Sequence, residues 1–230
     1  MTARLENDMF GRHLESLNLV KTRMPVRKLS GFTNLGAAVA GLAVLAAAPV
    51  VVAAPSDPAA ARIDSFDQAL LAVLKDGPAL GPKGRYQKLA PTIKATFDLP
   101  LMTQFAVGPS WESMSDADHQ ALITAFGRLS TASYARNFDK FNGEKFSVDP
   151  GVTTRGPDKI VKSQLISGSK TVQLTYRMRQ AGGTWKIVDV YFDAISQLTT
   201  RRSDFAAPLA AGGAKGLVAH LNTTADKLLQ

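Results

Sequence analysis

The chain has 230 residues, 45% of them hydrophobic, and no cysteine, which leaves material for a sizeable core and excludes disulfides, thiolate metal sites and thiol catalysis. Lys and Arg number 27 against 19 Asp and Glu; six of the basic and three of the acidic side chains fall in residues 1–53, so the remainder carries 21 against 16, a mild +5. These charges are scattered, which argues against nucleic acid as a partner and suits a soluble protein that meets an anionic membrane or an acidic protein surface.

The N-terminal part reads as an address. From Leu29 to Ala54 there is no charged side chain, Leu35 to Val52 is an unbroken apolar run rich in Ala, Val and Gly, and Arg27 and Lys28 stand just before it. A basic flank, an apolar stretch and small residues ahead of Pro55-Ser56-Asp57 are the parts of a secretory signal peptide. Residues 1–54 are therefore expected to be removed on export. Met24 is an alternative start that would give a more ordinary signal, and an uncleaved anchor is the competing reading, since the run approaches the roughly 20 residues that a bilayer span needs. Residues 55–230 are expected to form one domain.

In that domain, Asp57-Pro58 offers an N-cap and a first-turn proline, and Ile63, Phe66, Leu70 and Val73 follow at helical spacing up to Gly77-Pro78. Tyr86, Leu89, Ile93 and Phe97 continue the pattern, with Pro91 expected to split it into two short helices. Asp98 caps a further short helix that carries Leu101, Met102 and Phe105 and stops at Gly108. A long helix opens at Ser115 and runs through Leu122, Phe126, Leu129, Tyr134 and Phe138 toward Gly143. From Phe146 to Phe192 the chain turns to Val, Ile, Thr and aromatics, broken by glycine-containing turns, and four antiparallel strands fit. The third alternates Val172, Leu174, Tyr176 and Met178 with Gln173, Thr175, Arg177 and Arg179. The fourth is apolar on both faces apart from Asp189, as a doubly covered strand would be. Ser196 to Leu209 and Lys215 to Leu229 return to helical spacing across Gly212-Gly213. The expected class is α+β, a four-stranded antiparallel sheet wrapped by several helices.

The stretch carries no HExxH, GxSxG, P-loop or GxGxxG pattern. His119 and His220 each stand alone, and no metal or cofactor is expected. Asp189, flanked by apolar neighbours, is the best candidate for a desolvated acid, and an internal ion pair with Arg177, Arg201 or Arg202 is the simpler account of it. Asp98 is more simply a helix cap. Trp111 and Trp185 read as core first and pocket lining second.

Three ordered motifs carry a resemblance. Phe97-Asp98-Leu99-Pro100-Leu101-Met102 with Gly108 and Trp111, the strand from Gly182 to Val190, and Ile195-Ser196-Gln197-Leu198 followed by Arg202-Ser203-Asp204-Phe205 together resemble the MlaC family. These are periplasmic phospholipid-shuttle proteins, also called toluene-tolerance auxiliary proteins. The first motif with Val107-Gly108-Pro109-Ser110-Trp111 is most similar to the hopanoid-associated HpnM branch. The resemblance spans about residues 60 to 229. It implies a non-enzymatic periplasmic protein with an apolar pocket between sheet and helices. Phospholipid or hopanoid would be carried between inner- and outer-membrane complexes of an ABC-type lipid transport system, by a monomer. It marks Asp189 and Arg202 as structural motif positions. One departure stands out, because Asp193-Ala194 occupies the corner where the family has a glycine before its Ser-Leu motif.

Such a carrier needs no catalytic motif, since burying ten methylenes at about 0.8 kcal/mol each yields roughly 8 kcal/mol before costs, the scale of micromolar binding. The side chains expected to line the lipid pocket are Leu101, Phe105, Phe126, Leu165, Leu174, Tyr176 and Ile187. Two other classes compete: a small-molecule enzyme using Asp189 or Tyr176 as acid or base, and a non-binding adaptor of a membrane complex.

Overall fold

The structure, a computed structural model, describes residues 57–230; the address segment lies outside the described residues. Helix α1 spans Pro58–Thr96 and starts as the sequence predicts, with the Asp57 carboxylate accepting from the Ala59 N–H at 2.8 Å. It does not end at Gly77, nor does Pro91 split it. A Cβ on Gly77 would stand 2.2 Å from the Asp139 carbonyl oxygen, so this glycine is the point where a neighbouring loop touches the helix. The single break lies at Gly81, where φ 62° and ψ 176° leave the helical region, and Pro82 restarts the helix at a position whose N–H has no partner to lose. Pro91 stays inside because the interior penalty of about 3 kcal/mol is met by Leu89 and Ile93, both fully buried, at roughly 1.5–3 kcal/mol each.

Asp98 caps α2, Leu99–Val107, by accepting from the Leu101 N–H, and a 3-10 helix, Gly108–Ser113, follows directly. Helix α3, Asp116–Asn137, is capped by the Ser115 hydroxyl, which accepts from the Asp118 N–H at 3.2 Å. It stops at Asn137, short of Gly143.

The sheet contains the four expected strands, β1 (Lys145–Val148), β3 (Asp158–Ser167), β4 (Lys170–Ala181) and β5 (Thr184–Phe192), all antiparallel and in the order β1-β3-β4-β5. Two very short strands extend it: β2 (Thr153–Arg155) pairs with β3 alongside β1, and β6 (Ile195–Ser196) pairs with the end of β5. Neither is long enough to show alternation in sequence. Helix α4, Gln197–Leu228, runs from β6 to the C-terminus and bends at Gly213, at the predicted pair of glycines.

Val161, Ser163, Leu165, Val172, Leu174, Tyr176 and Met178 point into the core, while Lys162, Gln164 and Gln173 on the other face are exposed. The apparent two-faced apolarity of β5 has a local cause. Arg177 pairs with Asp189 but Met178 pairs with Ile187, so Val188 is an extra residue in a β-bulge that shifts the alternation by one. Helix α1 packs on β1, β3 and β5, α3 lies between α1 and α4, and α2 packs on α4 and α3.

Candidate functional site

The interface between sheet and helices is the first candidate. Phe66 on α1 is its centre, meeting Phe97, Tyr134 and Tyr176 edge-on at 5.4, 5.6 and 6.4 Å between ring centroids. Tyr134, Phe138 and Phe146 continue the aromatic row by stacking at 5.8 and 6.3 Å. An acid lies within this apolar layer. Asp67, wholly buried, accepts from the Ser163 hydroxyl at 2.8 Å and from the Tyr176 hydroxyl at 3.3 Å. Burial pushes its carboxyl up to about 7, the two hydrogen bonds pull against that, and nearby Asp64 adds to the rise. The Tyr176 phenol is likewise driven well above its usual range by burial and by Asp67.

Asp67 and Ser163 were not among the residues expected here, although the pattern holds a signal for both. Asp67 falls four residues after Ile63, on the same helical stripe as Phe66 and Leu70, and Ser163 alternates with Val161 and Leu165 on a strand.

Asp189 is buried, but its partner is not an arginine. Its carboxylate accepts from the Ser196 hydroxyl at 2.7 Å, from the Leu198 N–H at 3.1 Å and from the Val190 N–H at 2.8 Å. It thus ties the bulged strand to the first turn of α4, where N–H groups otherwise lack acceptors. The three arginines go elsewhere. Arg177 lies 3.6 Å from the Asp158 carboxylate and 5.7 Å above the Phe105 ring, Arg201 pairs with Asp204, and Arg202 lies against Gly108. The ion-pair expectation for Asp189 is therefore replaced by helix capping.

His119 stacks on Trp111 with ring centroids 3.8 Å apart, and its Nε2 donates to the Trp111 carbonyl at 2.9 Å. Trp185 is partly buried beneath the Lys159 ammonium, 4.7 Å from the ring centroid. Among the described residues no group of three His, Asp or Glu could hold a metal ion, and no helix is long and apolar enough to cross a membrane.

A second candidate lies between α2 with its 3-10 extension and α4. It is an open groove of about 280 Å³ whose walls include Val107, Phe205 and Leu209, with small Ala206 and Ala210 beside them and Ser110 and Arg202 as its polar members. Val107, Ser110, Arg202 and Phe205 were visible as motif positions, but nothing in the sequence marked the groove they form, because alanines spaced along a helix read as ordinary helix formers.

Of the seven expected pocket residues, Phe126, Leu165, Leu174, Tyr176 and Ile187 belong to one buried cluster. Leu101 is half-buried outside that cluster. Phe105 is 36% exposed and covers Arg177, which alternates away from the inner face of β4.

The fold has a counterpart among solved structures. A phospholipid-binding protein from Ralstonia solanacearum, described in complex with a phospholipid, superposes with a TM-score of 0.67 at 22% identity, covering 76% of this chain and 100% of that one. No curated protein matches the chain. The family profile described as "MlaC protein" matches residues 64–223, the span that contains all four helices except the first turns of α1 and the last of α4, and all six strands. The chain belongs to the MlaC family.

Proposed function

We propose that this protein is an exported, periplasmic lipid carrier that takes acyl chains into the layer between the sheet and its helices and hands them between membrane complexes of an ABC-type system. The observation that carries the reading is family membership joined to a fold that accounts for the full length of a phospholipid-binding protein. The chemistry supports it. Phe126, Leu165, Leu174, Tyr176 and Ile187 belong to one continuous buried apolar cluster, and opening it around a chain of ten methylenes would replace side-chain contacts by lipid contacts worth roughly 8 kcal/mol before costs. Leu101 and Phe105 would then serve at the margin of the pocket. The protein acts as a monomer without cofactor, and its cargo is phospholipid or hopanoid.

Native mass spectrometry of the protein recovered from the periplasm of the producing cell, followed by solvent extraction, tests this. Lipid that co-purifies at a fixed stoichiometry is the expected result. Protein that is found in the cytoplasm, or that is reproducibly lipid-free, would overturn it.

A further inference from the structure

We infer that Asp67, hydrogen-bonded from α1 to Ser163 on β3 and Tyr176 on β4, is a proton-operated latch on the helix–sheet layer, closing it when neutral and releasing it when ionised. This rests on the lipid-carrier reading and names how the proposed pocket is regulated.

The geometry is that of a fastening. Ser163 is paired with Leu174 across the two middle strands, so Tyr176 is its diagonal neighbour on the same inner face, close enough for one group laid over both strands to reach the two. Asp67 is that group, and each of its carboxyl oxygens accepts from one hydroxyl. A second tie joins the same helix to the same strand, the ion pair of Asp57 with Lys159. From Asp57 to Asp67 the helix rises about 15 Å, and from Lys159 to Ser163 the strand advances about 13 Å. The first part of α1 therefore runs along β3, tied once at a half-buried rim and once in the sealed interior. Phe66, Tyr134 and Tyr176 pack edge-on beside the inner tie, so a chain that enters this layer has to part it.

The inner tie depends on the proton. A neutral carboxyl donates as well as accepts, and so do both hydroxyls, so the three groups satisfy one another without a charge. Once ionised, the acid only accepts, and it stands as an anion among aromatic rings. The groups that act on it are Asp64 on its own helix, Tyr134 on α3, Tyr176 on β4 and Ser163 on β3, and none of them is a cation. Both phenols keep their protons, because burial and Asp67 itself push them above the usual range. Asp67 is thus the member of the buried cluster that titrates near neutrality, raised by burial to about 7 against the pull of the two hydroxyls. A buried charge without a counter-ion is relieved by water. Water reaches this one when α1 lifts from β3 and β4, so rising pH favours the open layer.

The test follows transfer of fluorescent phosphatidylcholine from phosphatidylcholine vesicles, whose surface does not titrate between pH 5 and 8, to the full-length exported protein. Wild type is expected to take up lipid at least about tenfold faster at pH 8 than at pH 5, levelling off above about 7, as for a group whose proton is held more tightly in the closed form. Asp67→Asn carries no charge at any pH and should stay at the slow rate throughout. Ser163→Ala removes one hydrogen bond of the closed form and should speed uptake at pH 5 about two- to tenfold. Circular dichroism at each pH checks that all three proteins stay folded. Anilinonaphthalene sulfonate added to the protein alone reports opening without lipid, and its fluorescence should rise with pH in wild type but not in Asp67→Asn. Uptake and dye binding by wild type that ignore pH, or Asp67→Asn that follows wild type, overturn the latch. So does Ser163→Ala with unaltered uptake at pH 5. Wild-type protein that takes up no lipid at any pH defeats the carrier reading instead, and the dye still decides the latch.

Discussion

Ser163 on β3 donates its hydroxyl at 2.8 Å to Asp67 on α1, and the carboxyl it reaches is sealed from solvent inside an aromatic layer. This contact, with the Tyr176 hydroxyl on the other carboxyl oxygen, is a polar link between helix and sheet in the layer proposed to take acyl chains. Burial raises the carboxyl from its ordinary 3.8 to about 7, so the folded protein holds the proton longer than the unfolded chain does. Below about pH 4 both states are protonated. Between about 4 and 7 only the unfolded chain releases its proton, stability falls as pH rises, and above 7 the loss is complete, of order a few kcal/mol. Urea unfolding of wild type and Asp67→Asn between pH 5 and 8 checks this. The variant, which keeps an oxygen acceptor without the charge, should gain on wild type from pH 5 to about 7 and level off above it. Parallel curves would contradict it.

Arg85 spans the bend in α1. Its Nη1 donates to the Gly77 carbonyl, before the Gly81 break, at 2.9 Å, and its Nε donates to the Ala135 carbonyl on α3 at 2.7 Å, with the residue almost wholly buried. Burial pulls the guanidinium below its usual range, with Arg136 adding to the fall and Asp139 opposing it. Arg85→Met keeps the volume of the side-chain stem and strands two carbonyls. It should cost about 2–4 kcal/mol, since hydrogen bonds to charged groups are each worth roughly 1.5–3 kcal/mol. Chemical denaturation measures it, and a loss under 1 kcal/mol would show that the bend holds without the arginine.

Much of this architecture was legible because its elements are long and half-buried. In β4 the alternation of Val172, Leu174, Tyr176 and Met178 with polar residues marks the inner face directly, and Asp57, Asp98 and Ser115 cap helices where their types and positions say they should. What escaped depends on tertiary contact. Pro91 carries a helix-breaking signal that the burial of Leu89 and Ile93 overrides. The bulge at Val188 turns a one-faced strand into an apparently two-faced one. Of the residues expected to line a pocket, Tyr176 and Leu174 lie on the buried face of β4 as period two has them, but Phe105 was placed by helical spacing alone and goes to Arg177. Arg202 was visible as a motif position, whereas its place against Gly108 depends on how the two helices meet in space.

Asp189 offers a sharper check on what holds the β5 to α4 corner. Its hydrogen bonds to Ser196 and Leu198 predict that Asp189→Ala loses about 2–3 kcal/mol. A double-mutant cycle with Ser196→Ala should show coupling of about 1 kcal/mol or more, and one with Arg202→Gln coupling within about 0.5 kcal/mol, as for sites that share no partner. The reverse pattern would restore the ion pair.

At the same corner, Asp193 and Ala194 join β5 to β6 with φ of 44° and 70°. A two-residue hairpin with both central residues in the left-handed region has the pattern of a type I′ turn, for which Asn-Gly or Asp-Gly is favoured. Asp193 suits its place, since its side chain accepts from the Gln173 N–H at 3.3 Å while its own N–H donates to the Gln173 carbonyl at 3.1 Å. Ala194 makes no comparable contribution, and an L-residue in that region is strained by roughly 1–2 kcal/mol. Replacing it by glycine removes the strain and adds some freedom to the unfolded chain, worth roughly 0.5–1 kcal/mol in the opposite direction. Ala194→Gly should therefore leave a net stabilisation of about 0.5–1 kcal/mol, read as a higher Tm. Ala194→Val, which brings a β-branched side chain to the same positive φ, should lower it. If Gly and Val moved Tm the same way, the turn would not have the backbone that joins these strands here.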